Sequence, residues 1–540
     1  MEHRILALWR VGLGLGLGVF GTILFYGHLI GLSFPLFIIG LLGVLLALSS
    51  TRPLLLRNAW LAVLLAFFAF MVAVRADEML TMHNGLLALG LGAVLLHYLR
   101  NGEAADSAPV HEHFFGAIQS SVLVIPCAFP EIGVARKQLA QKLPQNRGTV
   151  LAVGRGLLFA IPALLIFSLL LSSADTVFGS YMDNLWQALG FLDVSSLLGR
   201  GGMTVALAVF AIGVLAYPYL PGSSAKPPAK TLAGDGIIDD ELSADDLSGD
   251  EQPALKASPK HKPFIVLSII ESGIVLVSVN LMFAAFVLIQ FTYFFGGQVF
   301  GDLGYAEYAR RGFFELVAVS VLTLGMVLAL DYVTMRQNAR ENGVFRALAV
   351  VMVALTGVML VSAWQRMTLY EAAFGYTHLR IYVRISMGAL GALFGFFLLA
   401  LFRARPHIFS LGIMLALSGF FVTVNLINVD RFIAEQNIQR YEQGYALDVR
   451  FLAMLSADAV PPILDLYNRT EDTELRAALG QILARELLNL DNLRRYAGGD
   501  TLLSGNVGRD TAWTLLSMTP LPEIDWSMSI WQYRSYDFTR

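Results

Sequence analysis

Carboxylates and guanidinium groups at helical spacing are the residues best equipped for chemistry in this chain. In residues 304–316, GYAEYARRGFFEL, Glu307, Arg311 and Glu315 fall at i, i+4 and i+8. That spacing lines alternating charges along one helix face, where each Glu–Arg pair adds roughly 0.2–0.5 kcal/mol. Arg310 stands beside Arg311, glycines at 304 and 312 permit close backbone approach, and Phe313 and Phe314 lead into an apolar run. A second stretch, WQRMTLYEAAFGYTHLRIYVR, repeats the style with Arg366, Tyr370, Glu371, Tyr376, Arg380, Tyr382 and Arg384. A third, NVDRFIAEQNIQRY, adds Asp430, Arg431 and Glu435. Two kinds of chemistry suit such a set. It can hold an anionic head group or glycan, or its charges can pair as a salt-bridged collar that docks other helices.

The elements that position these groups are membrane helices. Of 540 residues, 56% are hydrophobic and only 15% charged, and mean hydropathy is +0.62. A soluble domain carries about 25% charge, so this chain lacks the polar surface to cover itself with water. Apolar runs of about 20 residues each suit bilayer crossings. Eleven are predicted, at 9–28, 33–50, 58–75, 79–98, 150–172, 201–220, 263–295, 313–332, 345–363, 381–402 and 408–428. Lys and Arg concentrate in alternate connections, among them Arg52 and Arg57, Arg136 and Lys137, Lys256 and Lys260, Arg336 and Arg340, and Arg403 and Arg405. The positive-inside rule then predicts a cytoplasmic N-terminus and a periplasmic C-terminus. Arg310, Arg311, Arg366 and Arg380 are exceptions on the outer side, and they need a compensating partner.

Ionisable and amide groups inside the apolar runs are costly, so each calls for a partner. Glu271 is predicted about two turns inside the seventh span, with Arg155 of the fifth span as its partner at similar depth. Asn280 follows on the same helix as Glu271, and Asn425 near the outer end of the last span suits a helix–helix hydrogen bond. No Walker A loop, HExxH, GxSxG or CxxC is present, and the single cysteine, Cys127, excludes an internal disulfide and a thiolate cluster. No metal or cofactor is expected. His111 and His113 flank Glu112, too local a group to form a metal site alone. The net charge of −3 carries no basic field for nucleic acid. The GLGLGLG run at 12–18 has no preceding strand and reads as a helix-packing seam, not a dinucleotide loop.

The predicted fold is all-α: a polytopic transmembrane helix bundle with a small extracytoplasmic helical domain. Residues 1–220 form a first transmembrane half. It includes a cytoplasmic segment 101–149, interfacial or re-entrant around 112–130, where Pro126 and Pro130 interrupt a short apolar run. It also includes an outer amphipathic segment 173–200. Residues 221–262, acidic and rich in Pro, Ser and Gly, form a disordered cytoplasmic linker. A second half follows at 263–428. Residues 429–540 form a periplasmic all-α domain ending in an aromatic tail with Trp526, Trp531 and Tyr533.

The runs GYAEYARRGFFEL, GYTHLRIYVR, NVDRFIAEQNIQRY with FLAMLSADAVPPILDL, and the ending DWSMSIWQYR resemble the bacterial integral membrane family called domain of unknown function 4173, to which family 4153 is related. That resemblance implies a bacterial inner-membrane location and transfers no activity. The leading expectation is a non-enzymatic scaffold, sensor or assembly factor, in contact with membrane lipids, that binds an anionic envelope ligand or a protein partner at its periplasmic face. One alternative is a transporter or lipid-handling protein with Glu271 on its pathway. Another is a membrane-embedded transferase with Glu307, Glu315 or Glu371 as base.

Overall fold

A computed structural model describes residues 2–47, 52–142, 194–219, 267–295, 313–405, 407–496 and 501–526. Among these residues all regular structure is helical, apart from one isolated bridge between Leu267 and Thr334. The apolar run 150–172, most of the segment 173–200 and the linker 221–262 lie outside the described residues. So do Arg155, Glu307, Arg310 and Arg311, the side chain of Glu315, and the tail beyond Trp526.

The helices are α1 (Glu2–Phe25), α2 (Ser33–Ala47), α3 (Arg52–Arg57), α4 (Ala59–Val74), α5 (Glu78–Asn101), α6 (Val110–Lys142) and α7 (Val194–Ala216). They continue as α8 (Ile269–Phe295), α9 (Phe313–Val333), α10 (Ala339–Phe374), α11 (His378–Arg403) and α12 (His407–Ile427). Shorter helices follow: α13 (Val429–Glu442), α14 (Val449–Leu452), α15 (Val460–Arg469), α16 (Thr473–Tyr496) and α17 (Val507–Ser517). Among the described residues, nine helices are long and apolar enough to cross a membrane, and α2 and α4 are shorter apolar helices. An apolar solvent leaves backbone groups no partner outside the segment, which is why the crossings are helices.

The chain divides into two compact units. The first joins Met1–Leu220, Tyr376–Ile381 and Ile413–Arg540. The second joins Pro221–Gly375 and Tyr382–Gly412. The C-terminal helices thus belong to the same unit as the first apolar helices, a different grouping from a separate domain beginning at 429. The reason is polar stitching within that unit. Leu32 N–H donates to the Gly505 carbonyl at 3.0 Å, and Asn506 Nδ2 donates to the carbonyls of Val72 and Arg75 at 3.2 and 2.8 Å.

In the first unit α1 and α7 form a seam of small residues. A Cβ on Gly14 would meet Ile212 at 2.4 Å, and one on Gly18 would meet Ala208 at 2.6 Å, whereas Gly12 and Gly16 have open space. Only alternate glycines of the GLGLGLG run therefore carry the close approach. One turn on, the hydroxyls of Thr22 and Thr204 meet at 2.8 Å. Leu61, Phe68, Leu95, Tyr98, Leu215 and Tyr217 are all but fully buried in the core beside this seam.

Helix α6 is unbroken by Pro126 and Pro130, where a short interrupted segment is expected from the sequence. Tyr98 OH and His113 Nδ1 are 2.7 Å apart, and Ser120 Oγ donates to the Ala93 carbonyl at 2.7 Å. Farther along α6, Glu131 pairs with the buried Arg10 at 3.1 Å. Arg10 stacks on Tyr219, and Arg100 stacks on Tyr217 two residues away.

The second unit packs α8, α9, α10 and part of α11 around Leu276, Phe345, Met352, Ala363, Met387 and Phe394. Asn280 is buried and donates to the Leu348 carbonyl at 3.0 Å, which ties α8 to α10. Helix α10 opens on Asn338, whose side chain accepts from Glu341 N–H at 2.9 Å, while Glu341 accepts in return from Gln337 N–H at 2.7 Å.

The α1–α7 seam makes a direct prediction. Gly18→Val drives a branched side chain into the Ala208 backbone, where no flexible atom can yield. Its melting temperature in detergent is expected to fall well below that of Gly12→Ala. Equal melting curves for the two variants would refute the seam.

Candidate functional site

Helix ends build the most concentrated polar site in the first unit. It begins with two amides: Asn84 of α5 and Asn425 of α12 are fully buried and donate to one another at 2.9 and 2.8 Å. Asn425 also donates to the Phe421 carbonyl at 2.9 Å, and its own carbonyl accepts from Arg75 Nη2. Asn428 then takes a left-handed conformation, φ 54°. Asparagine tolerates that region better than most residues. The turn there starts α13, whose first turn carries Asp430.

Asp430 is 4% exposed and binds on both oxygens. Oδ1 pairs with His378 Nε2, and Oδ2 accepts from Ser456 N–H at 2.8 Å. The His378 ring lies edge-on to Phe451. Asp458 accepts from Ala76 N–H at 2.9 Å, and Asp77 caps α5 by accepting from Leu80 N–H. A Cβ on Gly508 would strike the Asp458 carboxylate at 2.3 Å, so α17 must present a glycine there. The strand of chain before α11 is held by a reciprocal pair: Tyr376 N–H donates to Asn437 Oδ1 at 2.8 Å, and Asn437 Nδ2 returns to the Tyr376 carbonyl at 3.0 Å.

The three carboxylates are tuned apart. For Asp430, burial acts to raise the pKa, but hydrogen bonds from His378 and Ser456 outweigh it and hold the group below 3.8. Burial raises Asp458 above the ordinary range, against the lowering pull of Ala76 N–H and Arg75. Asp77 is also raised by burial, with the Asp430 charge adding to it and Leu80 N–H opposing. Burial lowers the Arg75 guanidinium, while Asp458 counters. Among the described residues, no group of three or more His, Cys, Asp or Glu is placed to hold a metal ion.

The second unit brings together three of the arginine and glutamate residues singled out in the sequence. Glu371 is fully buried and binds Arg384 Nη1 at 2.6 Å. Arg384 lies over the Trp364 ring at 4.9 Å, and Arg366 is 9% exposed. Arg380 belongs to the first unit, where its charge acts on Arg440, a guanidinium lowered chiefly by burial. Arg431 and Glu435 form an exposed i, i+4 pair at 2.7 Å. Glu271 stands elsewhere than two turns inside a span. Helix α8 starts at Ile269, so Glu271 is in the first turn, accepting from Ser268 N–H at 2.6 Å, while Ser268 Oγ accepts from Glu271 N–H at 3.3 Å. That capping box was readable as Ser-x-x-Glu and accounts for the carboxylate without an intramembrane partner.

His378, Asp77, Asp458, Arg75 and Asn84 escaped the sequence reading. Asp77 had a local signal, as an N-cap residue before an apolar helix. His378 meets its partner 52 residues away, and Asp458, Arg75 and Asn84 meet theirs more than 300 residues away.

Fold and site together define a helical, multi-pass membrane protein. Residues 60–466 match the family described as domain of unknown function (DUF4153), and the chain belongs to it. The resemblance to family 4173 is thereby corrected to the related family 4153. The matched region spans the whole cluster from Arg75 to Asp458 and ends before α16. No curated protein and no solved structure matches the chain.

The Asp430 pair has a pH signature. A carboxylate held below its unfolded value adds stability above about pH 4 and loses it as pH falls through the folded value. Asp430→Asn is expected to cost about 1.5–3 kcal/mol at pH 7 and to flatten the acid limb of the melting profile. Thermal scans between pH 3 and 7 test this, and a variant that keeps the wild-type acid limb would remove Asp430 from the account.

Proposed function

We propose that this protein is a non-enzymatic scaffold or sensor of the bacterial inner membrane, with a cytoplasmic N-terminus and periplasmic C-terminal helices. The observation that carries the reading is the mutual satisfaction of charges at these helix ends. Asp430 binds His378, and Asp458 sits near Arg75. A buried ion pair of this kind fixes geometry more than it adds stability. Such pairing suits a collar that holds the C-terminal helices rigidly and leaves their outer faces for a partner. Leu502, Met518 and Trp526, each more than three-quarters exposed, provide apolar contact points there. The transport alternative loses its main support, because Glu271 caps a helix end.

Helix α6 fits this topology as a surface-lying or re-entrant helix. Its His113 and Glu131 both meet the end of the first unit marked by Tyr217 and Tyr219. A helix that crossed would meet opposite ends with residues so far apart. Setting α6 aside, the other eight long apolar helices and the shorter α2 and α4 supply ten crossings, and the run 150–172, predicted as an eleventh, lies outside the described residues.

Cysteine labelling tests the orientation. In a Cys127→Ala background, Met518→Cys is expected to react with a membrane-impermeant maleimide in intact spheroplasts, and Arg403→Cys only after lysis. The reverse pattern would overturn the topology. A photo-crosslinker at Met518 is expected to give one discrete protein adduct in cells, absent from the same probe at Val63 in α4. Adducts of equal yield at both positions would argue against a dedicated partner face.

A further inference from the structure

In the first unit a groove of about 440 Å³ runs between α2, α5 and the start of α17. Its wall is apolar, built by Phe34, Met82, Leu86 and Leu89, and the last three are more than half exposed. Gly85 forms part of the same wall and has open space where a Cβ would be. The other end is polar: Arg75, Glu78 and Arg509 gather at the helix N-terminus capped by Asp77. From Glu78 to Leu89 the α5 wall rises about 16 Å. That is close to half of the roughly 30 Å hydrocarbon core of a bilayer, the depth of one leaflet. Leu89 also borders a second apolar cavity of about 250 Å³, lined onward by Ile38, Leu42 and Gly92, so the apolar path continues past the first groove.

The charges at the polar end can be assigned. Arg75 has Asp458 as its main electrostatic partner. Asp510 accepts from Asn506 N–H at 2.9 Å and lies 3.7 Å from Arg494. Two carboxylates act on Arg509, its neighbour Asp510 first and Glu78 across the mouth. Asp510 is already held by Asn506 N–H, which leaves Glu78 as the exposed carboxylate there. Among the described residues Arg509 Nη2 reaches only the Ile30 carbonyl, at 3.5 Å, a long contact for a cation. One cation and one exposed carboxylate at the head of an acyl-sized groove complement a headgroup that carries both signs.

We propose that this groove binds one glycerophospholipid with an ethanolamine headgroup. Its phosphate lies on Arg509, its ammonium group on Glu78, and one acyl chain lies along the α5 wall from Gly85 to Leu89. The assignment goes beyond the scaffold reading and does not depend on which partner the C-terminal helices meet.

The test is lipid mass spectrometry on the full chain purified in mild detergent and washed to constant lipid content. About one ethanolamine phospholipid per protein is expected, enriched over its share of the source membrane. Gly85→Leu fills the groove and is expected to lower retention at least fivefold. Gly90→Leu, also on α5 with open space at its Cβ but outside the groove, is expected to retain the wild-type amount. Glu78→Lys is expected to shift the retained lipid from ethanolamine to the anionic glycerol headgroup. If Gly85→Leu does not purify as a monodisperse protein, Leu86→Trp replaces it, since Leu86 is 60% exposed. Equal retention in the Gly85 and Gly90 variants, or retained lipid that mirrors the bulk membrane in wild type, would overturn the site. An unchanged headgroup ratio in Glu78→Lys would overturn the headgroup assignment.

Discussion

The reciprocal amide pair between Asn84 and Asn425 is the constraint on which the first unit depends. Two side chains 341 residues apart satisfy each other's donors and acceptors inside an apolar core. An amide left unpaired there costs at least 1–3 kcal/mol, so α5 and α12 are held in one register. Everything polar around them follows from that register. Arg75 reaches the Asn425 carbonyl because α4 ends where α12 does. Asn428 turns the chain one step later, and Asp430 arrives against His378. Shifting α12 by a single residue along its axis would separate all of these at once.

The two units treat charge differently. In the second, the fully buried Glu371 pairs with a partly exposed Arg384 that has an indole beneath its guanidinium. In the first, three aspartates share a small volume, and their environments divide the work. Asp430 keeps its charge through two hydrogen bonds, while burial pushes Asp458 and Asp77 toward the neutral form. Like charges this close cannot all be held ionised without such a division. The Asp430 charge adds to the upward push on both Asp458 and Asp77, so the three carboxylates act on one another.

Much of the helix pattern was legible because apolar runs of bilayer length leave little alternative to a helix. The GLGLGLG run was legible as a packing seam, although sequence could not show that Gly14 and Gly18 touch α7 while Gly12 and Gly16 do not. Glu271 was misplaced because a boundary set by hydropathy began the helix at 263. The Ser268 capping signal, which starts it at Ile269, is written in polar residues that hydropathy discounts. The Asp430 cluster was mostly invisible for a different reason. His378 and Asp458 stand among polar residues at the ends of helices, where single polar groups are common, and only tertiary contact makes them a site. Glu307, Arg310 and Arg311 drew attention as a local pattern, and they lie outside the described residues.

The glycine seam between α1 and α7 has a consequence for biogenesis. Gly18 of α1 has its contact, Ala208 of α7, synthesised 190 residues later. At roughly 5–20 residues per second, that interval is on the order of 10–40 s. During that time α1 sits in the bilayer with its small-residue face bare, and small-residue faces are what helices in a membrane associate through. The newborn chain must therefore be kept from pairing α1 with the wrong helix, whether by lipid, by α2, or by an insertion factor. This close contact cannot form until α7 has been made.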